Sequence, residues 1–159
     1  MIPERLAALR EKMRAYGVDA YLVPTADYHE SEYVGTYFKA RTYITGFTGS
    51  AGTAVITQDE ACLWTDGRYF VQAAKELAGT GVTLMKMGQE GVPTVEEYLQ
   101  ASTKEGMTIG FDGRVVNEML GETLEKTLPE RFLSYRSDLI GEIWSDRPAL
   151  SAEPVWILD

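Results

Sequence analysis

At 159 residues, with 45% hydrophobic and 25% charged residues, the sequence has the size and composition of one soluble domain with a substantial core. Its formal net charge of −9 (24 acidic, 15 basic, no basic cluster) argues against a nucleic-acid binder, and no apolar run reaches the roughly 18 residues of a membrane span. The charged N-terminus MIPERLAALREKMRAYG lacks a signal core and the single Cys62 rules out an internal disulfide, so the expected compartment is cytoplasmic.

In chain order, Leu6, Leu9, Met13 and Tyr16 form a stripe at helical spacing, which predicts a helix from Pro3 to Tyr16 with Gly17 as a left-handed cap. VDAYLVP predicts a buried strand closed by Pro24, and TADYHESEYVGTYFKAR a loop with some helix. TYITGF, residues 42–47, reads as a strand, and TAVITQDEACLWT as an antiparallel hairpin that places Trp64 in the core. Asp66 can cap a helix through RYFVQAAKELAG, ended by Gly79, and VTLMKMG is the next strand. Thr94 with Glu97 matches a capping box opening the helix VEEYLQAS, so the Glu96–Glu97 pair reads as capping rather than catalysis. MTIGFD is again a strand. Asn117 caps a helix whose expected inner face is Met119, Leu120, Leu124 and Leu128, and FLSYRSDLIGEIW supplies a last strand and a short helix or turn. The order predicts an α/β domain, a mixed β-sheet flanked by α-helices. The tail WSDRPALSAEPVWILD holds two of the three tryptophans and ends without an evident closing element.

Gly46, Gly49 and Gly52 in GFTGSAGT raise the question of a phosphate cradle. A Walker loop needs GxxxxGK[ST], and no lysine follows here; a dinucleotide fingerprint needs GxGxxG leading into a helix, whereas a strand-like run follows. The glycines are expected to let a turn adopt positive φ or approach a neighbouring backbone.

ITGFTGSAGTAVI, LWTDGRYFVQAAKEL and TLMKMG, preceded by DAYLVPTADYHESEY, together resemble the N-terminal domain of Xaa-Pro aminopeptidases of the creatinase/aminopeptidase P group. The resemblance covers nearly the whole chain, and the three-domain cytosolic type, whose first domain is followed by a tryptophan and DRP, matches best at IWSDRPAL. It implies a creatinase N-terminal-domain-like, ribonuclease H-like fold over residues 1–143, with residues 144–159 as a tail or linker to a second domain. It further implies a non-catalytic role within an enzyme that cleaves the bond between an N-terminal residue and proline. In that family the first domain contributes to the active-site entrance and to dimer assembly. The partners so implied are the protein's own C-terminal catalytic domain, a peptide substrate with proline second, and a second copy. The cofactors so implied are two divalent metal ions, commonly manganese, held by two Asp, one His and two Glu of that catalytic domain. The present sequence has one histidine and no such motif, so no metal ligands and no catalytic residues are expected within it. The alternative is a stand-alone peptide- or protein-binding module of the same fold.

Three basic residues are candidates for contacting substrate. Arg68, in WTDGRYF, could pair with a substrate carboxylate or a neighbouring subunit's acid, or make a local salt bridge to Asp66 or Glu76. His29, flanked by Asp27, Glu30 and Glu32, could donate to a substrate or a backbone carbonyl, or serve only as a loop hydrogen-bonder. Arg41 could face the same cleft.

Overall fold

The apolar stripe Leu6, Leu9 and Met13 is buried along α1 (Ile2–Tyr16), and Gly17 closes the helix at φ 67°, a left-handed cap with no Cβ to strain. Tyr16 leaves the stripe at the last turn: it is exposed, and its hydroxyl donates to Glu142. The computed structural model describes residues 1–158.

The strands are β1 (Ala20–Val23), β2 (Thr53–Thr57), β3 (Ala61–Thr65), β4 (Thr83–Lys86), β5 (Thr108–Gly110) and β6 (Phe132–Ser134). They form one sheet in the order β4-β3-β2-β1-β5-β6. β2 is antiparallel to both neighbours, while β3–β4, β1–β5 and β5–β6 are parallel, so β2 alone runs against the others. The turn at 58–60 closes the β2–β3 hairpin in the register Val55↔Cys62.

Both faces of the central strands are apolar, as a sheet covered on two sides requires. Tyr21, Val23, Ala54, Ile56 and Leu63 point to one face. There they meet α1, α2 (Ala40–Thr45), α3 (Phe70–Glu76) and α6 (Leu139–Ile143) through Ile44, Ala73, Leu139 and Ile140. Ala20, Leu22, Val55, Cys62 and Trp64 point to the other face, where α4 (Val95–Ser102) and α5 (Glu118–Thr127) bring Leu99 and Leu124. Trp64 is 1% exposed and its indole N–H donates to the Pro93 carbonyl at 2.8 Å, so its one polar atom is satisfied in the core.

Three local expectations change. Residues 42–47 are not a strand: the segment is α2, ended by Gly46 at φ 84°. Its β-branched composition suggested extension, but both sides of β1 are taken by β2 and β5, leaving no slot between them. Helical coiling instead buries Ile44, stacks Tyr43 on Trp144, and lets the Thr45 hydroxyl bond back to the Arg41 carbonyl. The element after Asp66 starts as a 3-10 turn, Gly67–Tyr69, before α3. On α5, Leu124 and the following Leu128 are buried and Leu120 is partly so, but Met119 is 72% exposed, because the Asn117 cap fixes a phase that turns it outward.

Candidate functional site

The polar site lies along one end of the sheet, where the carboxyl ends of β1, β3 and β5 meet the start of β2. Val23 pairs with Ala54 and Thr53 with Trp64, so Thr25, Gly52 and Asp66 emerge side by side. The crevice outside the carboxyl ends of parallel strands is where open α/β sheets commonly bind ligands.

Arg41 organises this end of the sheet. It is 5% exposed; its Nη2 donates to the Gly49 carbonyl and its Nη1 to the Thr25 hydroxyl, with the Gly52 carbonyl at 3.4 Å. The guanidinium lies over the Phe47 ring, 4.9 Å from its centroid. Thr65 and Thr25 donate to the carbonyls of Ala51 and Gly52, so the glycine loop turns its oxygens inward onto side-chain donors. Burial pushes the Arg41 pKa down to about 10, offset in part by Tyr69 and Glu76, which leaves it charged at neutral pH. A Cβ at Gly52 would stand 3.0 Å from the Trp64 carbonyl, and one at Gly49 would overlap the Phe47 and Tyr69 rings. The glycines therefore serve a close-packed turn leading into a strand, with no helix N-terminus facing a ligand.

Beside the loop is a cavity of about 200 Å³ whose wall includes Thr25, Glu32, Tyr33, Phe38, Arg41 and Ser50. Glu32 accepts from the Ser50 hydroxyl at 3.1 Å, and Ser50 also meets the Tyr69 hydroxyl at 2.6 Å.

Arg68 stands on the 3-10 turn after β3. Its Nε and Nη2 donate to the two oxygens of Asp66 at 2.9 and 3.0 Å, while Nη1 faces Glu32 at 3.7 Å. Its side chain is 61% exposed. The hydrogen bond from Arg68 holds the Asp66 carboxyl below the usual carboxylate range, and Asp66 in turn raises the arginine. Glu76 is engaged elsewhere, accepting from the Thr48 backbone and hydroxyl. Arg68 is thus braced along one edge by Asp66 and presents its other edge at the rim of the cavity.

His29 is exposed on the loop 24–39. Its backbone N–H and that of Ser31 both donate to Asp27 Oδ1, which pulls the Asp27 carboxyl down. The cavity wall does not include His29. Of the three candidates, then, Arg41 and Arg68 converge on the cavity, Arg68 through Glu32, and His29 stands apart.

Sequence reasoning missed Glu32 and Ser50, and it missed a second arm at Arg114. Asp112-Gly113-Arg114 follows β5 as Asp66-Gly67-Arg68 follows β3, with the same fork: Nε and Nη2 donate to Asp112, both at 3.0 Å. Arg114 also lies 3.4 Å from Asp138. The repeated Asp-Gly-Arg at a strand end was the available signal. The serine and glutamate, 18 residues apart, offered none.

These features define an α/β domain whose strand-end cavity is fenced by braced ion pairs. Among the described residues no three His, Cys, Asp or Glu side chains gather to hold a metal, so the donor set here does not fit a metal centre. The chain belongs to the creatinase/prolidase N-terminal domain family, whose model matches residues 5–143. It is 46% identical to a probable Xaa-Pro aminopeptidase P of Talaromyces marneffei over 97% of this chain and 24% of that protein. It is 40% identical to aminopeptidase P2 of Arabidopsis thaliana over 100% of this chain and 23% of that protein. Its structure is similar to the X-prolyl aminopeptidase of Caenorhabditis elegans, described as a cytosolic enzyme with a di-nuclear active site. That likeness has a TM-score of 0.91 at 37% identity and covers 100% of this chain and 28% of the other. The chain therefore spans about a quarter of the length of these relatives. No helix among the described residues is long and apolar enough to cross a membrane.

Proposed function

We propose that this chain is the non-catalytic N-terminal domain of a metal-dependent Xaa-Pro aminopeptidase, forming part of the substrate entrance and of the contacts that assemble a dimer. The observation that carries the entrance role is Arg68, braced by Asp66 along one edge, 61% exposed, and turned along the other toward Glu32 of the cavity wall at 3.7 Å. A fork held in place by its own carboxylate loses little side-chain entropy when it meets a second acid, such as a peptide carboxylate or an acid of an adjoining subunit. Two divalent metals, manganese being the usual pair in the resembled family, would be held by residues of a catalytic domain outside this chain. The cytosolic description of the nematode relative supports the same compartment here.

The test is Arg68→Ala in the protein that carries this domain together with its catalytic domain. Losing a charge-assisted contact predicts a fall in kcat/KM of about 10- to 100-fold on peptides with proline second, with metal content unchanged. Unchanged kcat/KM would reduce Arg68 to a structural brace.

A further inference from the structure

Residues 27–39 form a strap over the strand ends that contains no buried residue, yet it supplies Glu32, Tyr33 and Phe38 to the cavity wall. A segment without an apolar anchor must be placed by polar and aromatic contacts. Most of these are exposed: Glu32 with Ser50 and Arg68, Glu30 with Asn117, and the Tyr28 ring under Arg114.

One is not. Arg147 donates from Nε to the Tyr37 carbonyl at 2.9 Å and from Nη1 to Asp138 at 2.5 Å, and its guanidinium lies 3.8 Å from the Tyr37 ring centroid. With side chains 13% and 14% exposed, Arg147–Asp138 is the least exposed ion pair among the described residues. Asp138 is fixed independently, because its other oxygen caps α6 by accepting the Gly141 N–H at 2.9 Å. Three residues before Arg147, Trp144 stacks on Tyr43 at 4.5 Å and 18°, on the helix that also carries Arg41. Under the strap, between Phe38 and Arg147, the crevice is only about 20 Å³, room for about one water. The segment 144–147 therefore contacts both elements that supply the cavity wall, each beside its wall residues: the strap at Tyr37 through Arg147, and α2 at Tyr43 through Trp144.

We propose that Arg147 is a positioning residue, a latch that joins the strap at Tyr37 to Asp138 at the start of α6, so that its hold sets the shape of the Glu32–Phe38 wall. Its relevance to substrate rests on the entrance reading above; the latch itself is a property of this chain.

Hydrogen exchange on the 159-residue chain tests it. The amides of Phe38 and Lys39, bonded to the Gly35 and Thr36 carbonyls at 3.0 and 3.3 Å, report on the strap. Arg147→Ala is expected to speed exchange across residues 36–39 by about tenfold or more while β2 and β3 keep their rates. Arg147→Lys keeps a charge for Asp138 but loses the fork and the stack, and is expected to resemble the alanine variant. Unchanged strap exchange, or a rise shared equally by the sheet, would overturn the latch. Should Arg147→Ala fail to fold, Tyr37→Ala removes the stack while keeping the ion pair. The same local rise is then expected, and its absence counts equally against the proposal. In the protein with its catalytic domain, Arg147→Ala should raise KM with kcat unchanged. A mobile strap with unaltered KM would sink the entrance reading and leave the latch standing.

Discussion

A guanidinium that is 5% exposed has given up most of its water, and Arg41 recovers that loss through the Gly49 carbonyl, the Thr25 hydroxyl and the Phe47 ring. Its Nε, with no hydrogen-bond partner among the described residues, is the cost the arrangement tolerates. Arg41→Ala should lower the unfolding free energy by about 2–4 kcal/mol in urea titration, because the Gly49 carbonyl is left buried without its donor. Arg41→Lys should recover little of that, since an ammonium cannot reach both sides of the loop as a fork does. The sequence marked Arg41 as a basic residue near a cleft but held no sign of its burial, which depends on Thr25 and Gly52 arriving from elsewhere in the chain. The Asp66 brace on Arg68 was legible for the opposite reason: a single residue, Gly67, separates the partners, and a 3-10 turn brings them together without help from the rest of the fold.

Among elements the same division holds between local and long-range causes. The Thr94–Glu97 capping box forms as the sequence indicates, with the Thr94 hydroxyl accepting the Glu97 N–H at 3.1 Å and the Glu97 carboxylate accepting the Thr94 N–H at 3.3 Å. Asn117 caps α5 in the same way. Such motifs are written within four residues, so one sequence suffices to find them. α2 is the counterexample: Thr42, Tyr43, Ile44 and Thr45 favour extension locally, and only the occupied neighbours of β1 and the waiting Trp144 ring make them helical. Removing a cap from a helix that buries only Leu99 is correspondingly a local loss. Thr94→Ala is expected to cost about 1 kcal/mol by urea unfolding, with the cooperativity of the transition unchanged.

At the scale of the whole molecule, the apolar residues divide into those the fold consumes and those it leaves. Trp144, the first residue of the expected tail or linker, is consumed: it is half-buried against Tyr43, over whose ring the Arg5 guanidinium also lies at 4.1 Å. Val155, Trp156, Ile157 and Leu158 are left, at 98%, 72%, 87% and 82% exposure. Four consecutive apolar side chains in water form a patch that association can bury, at about 25 cal/mol per Å² removed from water. The chain taken alone should therefore self-associate with rising concentration in sedimentation velocity, and Trp156→Glu with Ile157→Glu should return it to monomer without moving its melting temperature. Trp144→Ala should do the reverse, lowering the melting temperature by uncovering Tyr43 while leaving the association intact. If the glutamate pair left the association unchanged, the next surface to test is edge strand β6, whose first residue, Phe132, is 65% exposed beside Tyr135, and a charged substitution at Phe132 would then be expected to disperse it.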